Sequence, residues 1–381
     1  MTRLLTRAWY GGGYYEPPEP PPQPPEPTVE GGHAAGLVRE WAQQQRGAAV
    51  AGKKRAGDAL VLGRFLPLHS GHVRLLTRAT EAVSGVLHVV VAARKSDFLG
   101  ERAREEAVRE SVMATRLGTV TTARDVGQQG EPEDDAFWQP WLEWVRARPA
   151  LAGCKVLVAG DVKAERFAQL LKMDFVLVDR AEFALSATQV REDPWGLWDH
   201  IAPSLRSMFT GSVALVGPEG AGKSTLATQL GKHYGTSVAQ EYVRTFLDAS
   251  GAWQPSAEEL RDAVWNGTRT GWARARERAT KFFIADTDQL SLALWSLRLY
   301  GTFLKAEPVR PDFTVLLDDH PWSGPKDRDQ PEARRQFVEE FRRLLTVRGT
   351  PHVFISGPRE GRFRQAVEAI EAWVKTKPLA R

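Results

Sequence analysis

Two histidines three residues apart, His69 and His72, stand in the string Gly63-Arg64-Phe65-Leu66-Pro67-Leu68-His69-Ser70-Gly71-His72. An apolar run, Ala59–Leu62, leads into the string, and the apolar-periodic segment Val73–Ala79 leads out of it. That pattern predicts a strand, a tight loop and a helix. Both imidazoles then face one spot at the helix entrance, where free N–H groups and a partial positive charge collect. Gly63, without a side chain, lets a ligand approach the backbone. Such a spot suits a triphosphate: the imidazoles can donate to charge building on the α-phosphate while another phosphate oxygen attacks it. On the pair alone, two surface histidines explain the pattern equally well, but the whole string is far more specific.

Further along, Leu185-Ser186-Ala187-Thr188-Gln189-Val190-Arg191 starts a second helix. The hydroxyls and N–H groups of Ser186 and Thr188 can hold phosphate oxygens there, and Arg191, one turn on, can add a two-pronged contact. Between the two strings Val156–Ala159 reads as a buried strand ending at Asp161, which either reaches the adenosine of a nucleotide or caps the next helix.

A separate phosphate signature follows the apolar run Ser212–Val216, in Gly217-Pro218-Glu219-Gly220-Ala221-Gly222-Lys223-Ser224-Thr225. Gly217, Gly220 and Gly222 let successive N–H groups, through Thr225, curl around a β-phosphate. Lys223 spans the β- and γ-phosphates of ATP, and Ser224 ligates Mg²⁺. Two later strand ends carry acid. Glu241, after Thr236–Gln240, is a candidate base or ribose ligand, with Arg244 beside it as a charge stabiliser. Asp286 and Asp288, after Lys281–Ala285, share two roles: one holds Mg²⁺ through water and the other meets the substrate. We set Asp286 on the metal and Asp288 in catalysis, although the sequence leaves their order open. The segment 318–335 mixes proline, glycine and cations as a mobile lid would, with Arg328 as its phosphate-reaching residue and Arg334 and Arg335 on a solvated helix. The Gly357-Pro358-Arg359 turn is placed to touch an adenine.

Stepping outward, 381 residues are long for one core, so two domains are expected. Hydrophobic residues make up 42% and charged residues 26%, with a net charge of +4. That is an ordinary soluble composition, and the basic excess is too small to argue for nucleic-acid binding. The single cysteine, Cys154, reads as a small buried side chain, which excludes an intrachain disulfide. With no run of 18 apolar residues and no leader-like start, a cytoplasmic protein that does not enter membranes is expected. Residues 1–57 read as a disordered tail: Glu16–Pro27 holds eight prolines, as in a tether or a docking segment, and the tether is the simpler reading. A short helix is expected near Leu37–Gln45, and another from Arg102 to Leu117.

The string G-R-F-x-P-L-H-x-G-H resembles the signature of the nucleotidyltransferase superfamily, most closely its nicotinamide-mononucleotide adenylyltransferase branch. The 185–191 string is similar to that superfamily's I-S-x-T-x-I-R, with Leu185 and Val190 as conservative departures. Followed by a phosphate-binding loop, and with W-Q-x-W at Trp138–Trp141, E-Y-x-R at Glu241–Arg244 and the acidic strand end at Asp286–Asp288, residues 58–381 resemble the NadR-type bifunctional enzymes. The resemblance implies an α/β protein of two doubly wound parallel-sheet domains: a Rossmann-like nucleotidyltransferase over 58–200, then a P-loop kinase over 208–381. It implies ATP and Mg²⁺ as cofactors and nicotinamide riboside and nicotinamide mononucleotide (NMN) as substrates. The kinase would phosphorylate the riboside, and the first domain would join NMN to AMP, giving NAD and pyrophosphate. It also makes Gly63, Arg64, Phe65 and Asp161 nucleotide contacts, Trp138 or Trp141 a stacking platform for a cationic nicotinamide, and Tyr242 and Arg244 substrate contacts. Three features depart from the family. A proline-rich start replaces the DNA-binding domain of some members, which argues against DNA contact. Gln240 stands where some members have tryptophan, and the lid lacks most of the acid before its arginine. A kinase for another nucleoside, a nucleotide-sensing regulator and a homo-oligomer all stay open.

Overall fold

The computed structural model describes residues 31–45, 54–112, 117–127, 134–178, 185–243, 245–246, 264–301, 309–319 and 331–376. They form two compact units, one within Glu30–Phe209 and one within Thr210–Pro378.

The first unit is built on a parallel sheet of β1 (Ala59–Gly63), β2 (Leu87–Ala93), β3 (Leu117–Arg124), β4 (Val156–Ala159) and β5 (Asp174–Leu177), in the order β3-β2-β1-β4-β5. The chain winds outward from β1 through β2 to β3 and then returns to lay β4 on the other side of β1. The strand order therefore reverses between β1 and β4, and in open sheets the crevice at such a reversal takes the ligand. Six helices follow or cross these strands: α2 (Ser70–Ala82), α3 (Glu101–Ser111), α4 (Asp135–Arg146), α5 (Pro149–Ala152), α6 (Ala164–Leu171) and α7 (Ala187–Glu192). Leu60, Val90, Leu142 and Phe167 meet in the core beneath the crevice, each burial contributing about 1.5–3 kcal/mol.

Three expectations change here. The helix expected from Arg102 to Leu117 stops at Ser111, and Leu117 instead opens β3. Only Val120 and Ala123 of that strand are buried, so its apolar signal is thin. Its Gly118 is a packing requirement, because a Cβ there would lie 2.6 Å from the ring of His88. Second, the helix α1 (Gly31–Gln45) buries Val38, Trp41 and Ala42, and the Trp41 indole donates to the Asp199 carbonyl at 2.8 Å. Residues 31–45 are thus part of the first unit and not of a tail, whereas the proline-rich stretch lies outside the described residues. Third, the first unit runs on past residue 200, its expected end. Trp195, Trp198, Ile201, Leu205 and Phe209 are buried, and the boundary falls after Phe209.

The second unit holds β6 (Gly211–Val216), β7 (Val238–Ala239), β8 (Phe282–Asp286), β9 (Phe313–Leu317) and β10 (His352–Ile355), parallel and in the order β10-β9-β6-β8-β7. Helices α8 (Lys223–Tyr234), α9 (Trp265–Arg278), α10 (Gln289–Tyr300), α11 (Pro331–Val347) and α12 (Arg359–Lys375) pack on it. β6, β8 and β9 are buried along their whole length, as expected of strands covered on both faces. The phosphate loop leaves the central strand with an acidic strand end on one side, since Leu215 pairs with Asp286 across β6 and β8. On its other side runs β9.

Candidate active sites

In the first unit the chain turns from β1 into α2 through Phe65, whose φ of 48° is left-handed and strained for a side chain of that size. The Phe65 ring is fully buried and lies across Gly63, where a Cβ would come within 2.9 Å of it. Gly63 is therefore small to admit Phe65 on one side, and it borders the cavity described below. The ring also backs His72, with centroids 5.0 Å apart. Phe65 supports the loop from beneath and does not line the cavity described below.

His69 is the N-cap of α2. Its Nδ1 accepts from the Gly71 N–H at 3.1 Å, and the Nδ1 of His72 accepts from the His69 N–H at 3.4 Å. With Nδ1 occupied as an acceptor, each neutral ring carries its proton on Nε2 and can donate it outward. The rings lie 3.9 Å apart between centroids, so both donors act on one small region. Gly71 must be glycine for this: a Cβ would sit 2.9 Å from Cε1 of His69.

The loop is held from three sides. Ile201 bridges His69 in antiparallel fashion, the Ala202 N–H donates to the Leu68 carbonyl at 3.1 Å, and Ser70 Oγ pairs with His200 Nδ1 at 2.9 Å. Arg191 donates to the Leu66 carbonyl at 2.8 Å and to Thr188 Oγ1 at 3.0 Å. In this conformation Arg191 fastens the second signature to the first. Arg104, 1% exposed, donates to the carbonyls of Arg64 and Ala92 at 2.8 and 3.2 Å and pairs with Asp97 at 3.1 Å. Asp97 also takes the Arg64 guanidinium. Burial pushes the Asp97 carboxyl up, but the Arg94 N–H and the charges of Arg64 and Arg104 outweigh it and hold the group below the usual carboxylate range. No motif in the sequence singles out Asp97 or Arg104, because the contact that ties them to the histidine loop, at Arg64, lies 33 and 40 residues away.

A cavity of about 480 Å³ opens at the β1/β4 reversal, lined among others by Gly63, Arg64, His69, His72, Trp138, Asp161, Ser186 and Thr188. It unites most of the first unit's expected contacts. Ser186 caps α7 through a reciprocal pair with Gln189, at 3.2 and 2.7 Å. Asp161 accepts from the Lys163 N–H at 3.1 Å, so at least one of its oxygens serves the turn before α6. Trp138 stacks on Phe167 with centroids 4.7 Å apart and borders the cavity from the core. Trp141 does not border it. It lines a second cavity, of about 370 Å³, with Arg64, Arg94 and Asp125. Cys154 is buried, and desolvation with the nearby Asp58 charge pushes its thiol up to about 12, which removes it as a nucleophile.

In the second unit Gly217, Gly220 and Gly222 have φ of 149°, 75° and 88°, and a Cβ on Gly217 would lie 2.7 Å from the Leu317 carbonyl. Lys223 at the start of α8 folds its ammonium onto the carbonyls of Gly217 and Pro218 at 3.0 and 2.9 Å. Ser224 and Thr225 follow in the first turn of that helix. At the end of β8, Asp286 is 2% exposed and its Oδ1 has no hydrogen-bond partner among the described residues. Thr287, at φ 85°, turns the chain so that Asp288 caps α10, accepting from the Ser291 N–H at 2.8 Å and Ser291 Oγ at 2.7 Å. Desolvation pushes the Asp288 carboxyl up against those two bonds. The cap uses Oδ1 of Asp288, while Oδ2 of Asp288 and Oδ1 of Asp286 are both buried with no hydrogen-bond partner among the described residues.

Glu241 follows β7, half-buried, and Tyr242 packs with Phe246, Trp265 and Leu292. Gly267 on α9 makes room for the tyrosine ring, which would stand 2.1 Å from a Cβ there. Arg244 and Arg328 lie outside the described residues. Arg335 is exposed and paired with Glu332, as expected on a solvated face, but Arg334 is buried and bonds Asp319 at 2.7 Å. Its expected place on a solvated surface is corrected accordingly. Arg359 reaches back to the Gly220 carbonyl at 3.5 Å, so this turn touches the phosphate loop.

Residues 212–362 match the family model described as AAA domain. The chain is 24% identical over 346 residues to the trifunctional NAD biosynthesis/regulator protein NadR of Salmonella typhimurium, covering 84% of each chain. To the protein of the same description in Escherichia coli it is 25% identical over 348 residues, covering 84% of this chain and 83% of that one. Crystal structures of NadR protein share the fold: one in complex with NR at a TM-score of 0.62 and 20% identity, and one with NAD and AMP-PNP at 0.61 and 21% identity. Each match covers 84% of this chain and 98% of the other.

Proposed function

We propose that this NadR-type chain makes NAD in two ATP-dependent steps, one in each unit. In the second unit the 5′-hydroxyl of nicotinamide riboside attacks the γ-phosphorus of ATP, the bond to the β-phosphate oxygen breaks, and NMN and ADP leave. In the first, a phosphate oxygen of NMN attacks the α-phosphorus of a second ATP, and pyrophosphate departs as NAD forms. The observation that carries this is the joining, in one chain akin to NadR over 84% of its length, of the paired-histidine cavity and the phosphate loop with its acidic strand end.

Each residue then has a task. The Nε2–H groups of His69 and His72 donate to the non-bridging oxygens of the α-phosphate as charge grows on them. Ser186 and Thr188 hold the leaving phosphates, and Asp161 the adenosine. Arg64 borders both cavities, so ATP occupies the first and NMN the second, with the nicotinamide against Trp141. In the kinase the N–H groups of the phosphate loop and Lys223 cradle the β- and γ-phosphates. Glu241 at the end of β7 accepts the hydroxyl proton, Asp288 faces the same step with the oxygen that Ser291 does not take, and Tyr242, Arg244 and Arg328 complete the substrate side. The Mg²⁺ that accompanies ATP fits Ser224 and the Asp286 oxygen that has no partner among the described residues. It would neutralise charge between the phosphates when bound. The described residues hold no cluster of three or more metal-ligating side chains, consistent with a metal bound chiefly by nucleotide and water. Both steps are assigned to the cytoplasm, where ATP is made, and neither needs DNA or a membrane. No helix among the described residues is long and apolar enough to cross one.

The test is a chromatographic time course of the purified chain with nicotinamide riboside, ATP and Mg²⁺. ADP should rise first, with a transient of NMN, and NAD and pyrophosphate should follow in equal amounts. If the riboside is untouched but added NMN becomes NAD, the kinase half of the proposal fails. If the riboside is untouched and added NMN is not converted either, both halves fail.

A further inference from the structure

We propose that Arg362 is a positioning residue for phosphoryl transfer, fixing the middle of the phosphate loop so that its N–H groups meet the nucleotide where the reaction needs them. This rests on the kinase reading above. Arg362 lies on α12, far from the loop in sequence, and is 4% exposed. Its guanidinium donates to four backbone carbonyls: Gly357 at 2.9 Å, and Ala221, Asp318 and Asp319 each at 3.1 Å. Ala221 is inside the loop, Asp318 and Asp319 follow β9, and Gly357 follows β10. One planar fork thus ties the loop to the ends of two strands.

Such an arrangement answers a specific difficulty. The loop owes its curl to three glycines at positive φ, and glycine has more backbone freedom to lose than any other residue. β6 secures one end of the loop and α8 the other. Between them, Arg362 grips the Ala221 carbonyl from outside, assisted by the longer Arg359 bond to Gly220. A buried charge is costly unless it is well bonded. Here the carbonyl dipoles supply the bonds, and the acidic side chains of Asp318 and Asp319 lie close enough to act on its charge. Asp319 is in turn held by Arg334 of α11, so the brace continues into that helix. An apolar side chain would fill the same volume without the charge. A fork that reaches all these carbonyls at once is what positioning, and not filling, requires. Lysine, with one compact ammonium, cannot span them.

The test compares Arg362→Lys and Arg362→Met in the full chain, with both reactions and the melting curve measured on each preparation. Kinase kcat/KM for ATP should fall by roughly 10²-fold in fully folded Arg362→Lys, through a raised KM, a lowered kcat or both, while NMN adenylylation stays within about twofold. If Arg362→Met does not fold, Arg362→Lys decides. The proposal is overturned if Arg362→Lys keeps kinase kcat and KM within about threefold of the original. It is also overturned if the loss only follows the unfolded fraction with KM unchanged, as a purely structural role would give. Should the unaltered chain fail to phosphorylate the riboside, the kinase reading falls but this test remains. The ATP binding that Lys223→Ala abolishes must then weaken in folded Arg362→Lys, and unchanged binding refutes the role.

Discussion

Replacing Gly71 with alanine should separate catalysis from stability in the first unit. The new Cβ would lie 2.9 Å from Cε1 and 3.1 Å from Nδ1 of His69, where ordinary contact begins near 3.4 Å. The ring must therefore retreat by at least about 0.5 Å, since the Leu185 carbonyl at 3.3 Å blocks the other direction. For folding this is cheap, because a ring at the end of a side chain can swing, and alanine in a helix gains about 0.5–1 kcal/mol over glycine. For adenylyl transfer it is expensive, because that ring is the proposed donor. A misplacement of about 1 Å costs roughly 10²-fold, so a shift half as large or more should cost about tenfold to a hundredfold, or about 1.4–2.7 kcal/mol of barrier. The assay follows NAD formed from NMN and ATP, with riboside phosphorylation by the same sample as an internal control. Adenylylation within about twofold of the original, in a protein whose kinase and melting curve are unchanged, would refute the placement of His69 over Gly71.

Other outcomes follow from the same geometry. Asp286→Asn should lower kinase kcat roughly 10²-fold or more and spare adenylylation, with little loss of stability, because Oδ1 of this buried carboxylate has no hydrogen-bond partner among the described residues; a fall in both activities would contradict it. Asp97→Asn leaves buried Arg104 without its counter-charge and should cost about 3 kcal/mol near neutral pH, measured by urea unfolding. The Asp97 carboxyl is held below its ordinary 3.8 in the fold, so its stabilisation is present above that value and lost as pH falls through the folded one. The gap between the two proteins should accordingly close only in acid. Trp41→Ala should destabilise the first unit by about 3 kcal/mol or more; an unchanged melting curve would mean that α1 is dispensable to that unit.

Chemistry written in contiguous residues was legible from the sequence. The β1–loop–α2 string, the Ser186 cap and the phosphate loop each carry their own local geometry in residue type and spacing, so strand, turn and helix followed directly. Braces made at long range were not. Arg104 reaches the Arg64 carbonyl 40 residues away and Arg362 the Ala221 carbonyl 141 residues away, and a buried arginine reads in sequence as one more surface cation. Asp286 and Asp288 are interchangeable in sequence, because the Ser291 cap that distinguishes Asp288 is made by the start of α10 and not by a motif. β3 was missed because an edge strand with two buried side chains has almost no period to detect. α1 was placed in the tail because its surroundings are proline-rich, although Trp41 and Val38 gave it an apolar face to bury.

The central claim is that two separate sites in one chain perform consecutive steps. The most direct measurement gives His72→Ala and Lys223→Ala, separately, the same mixture of nicotinamide riboside, ATP and Mg²⁺. His72→Ala should accumulate NMN and ADP with little NAD. Lys223→Ala should leave the riboside untouched yet convert added NMN to NAD at close to the original rate. If both substitutions halt the same step, or if His72→Ala still makes NAD at full speed, the division of labour between the two units is wrong.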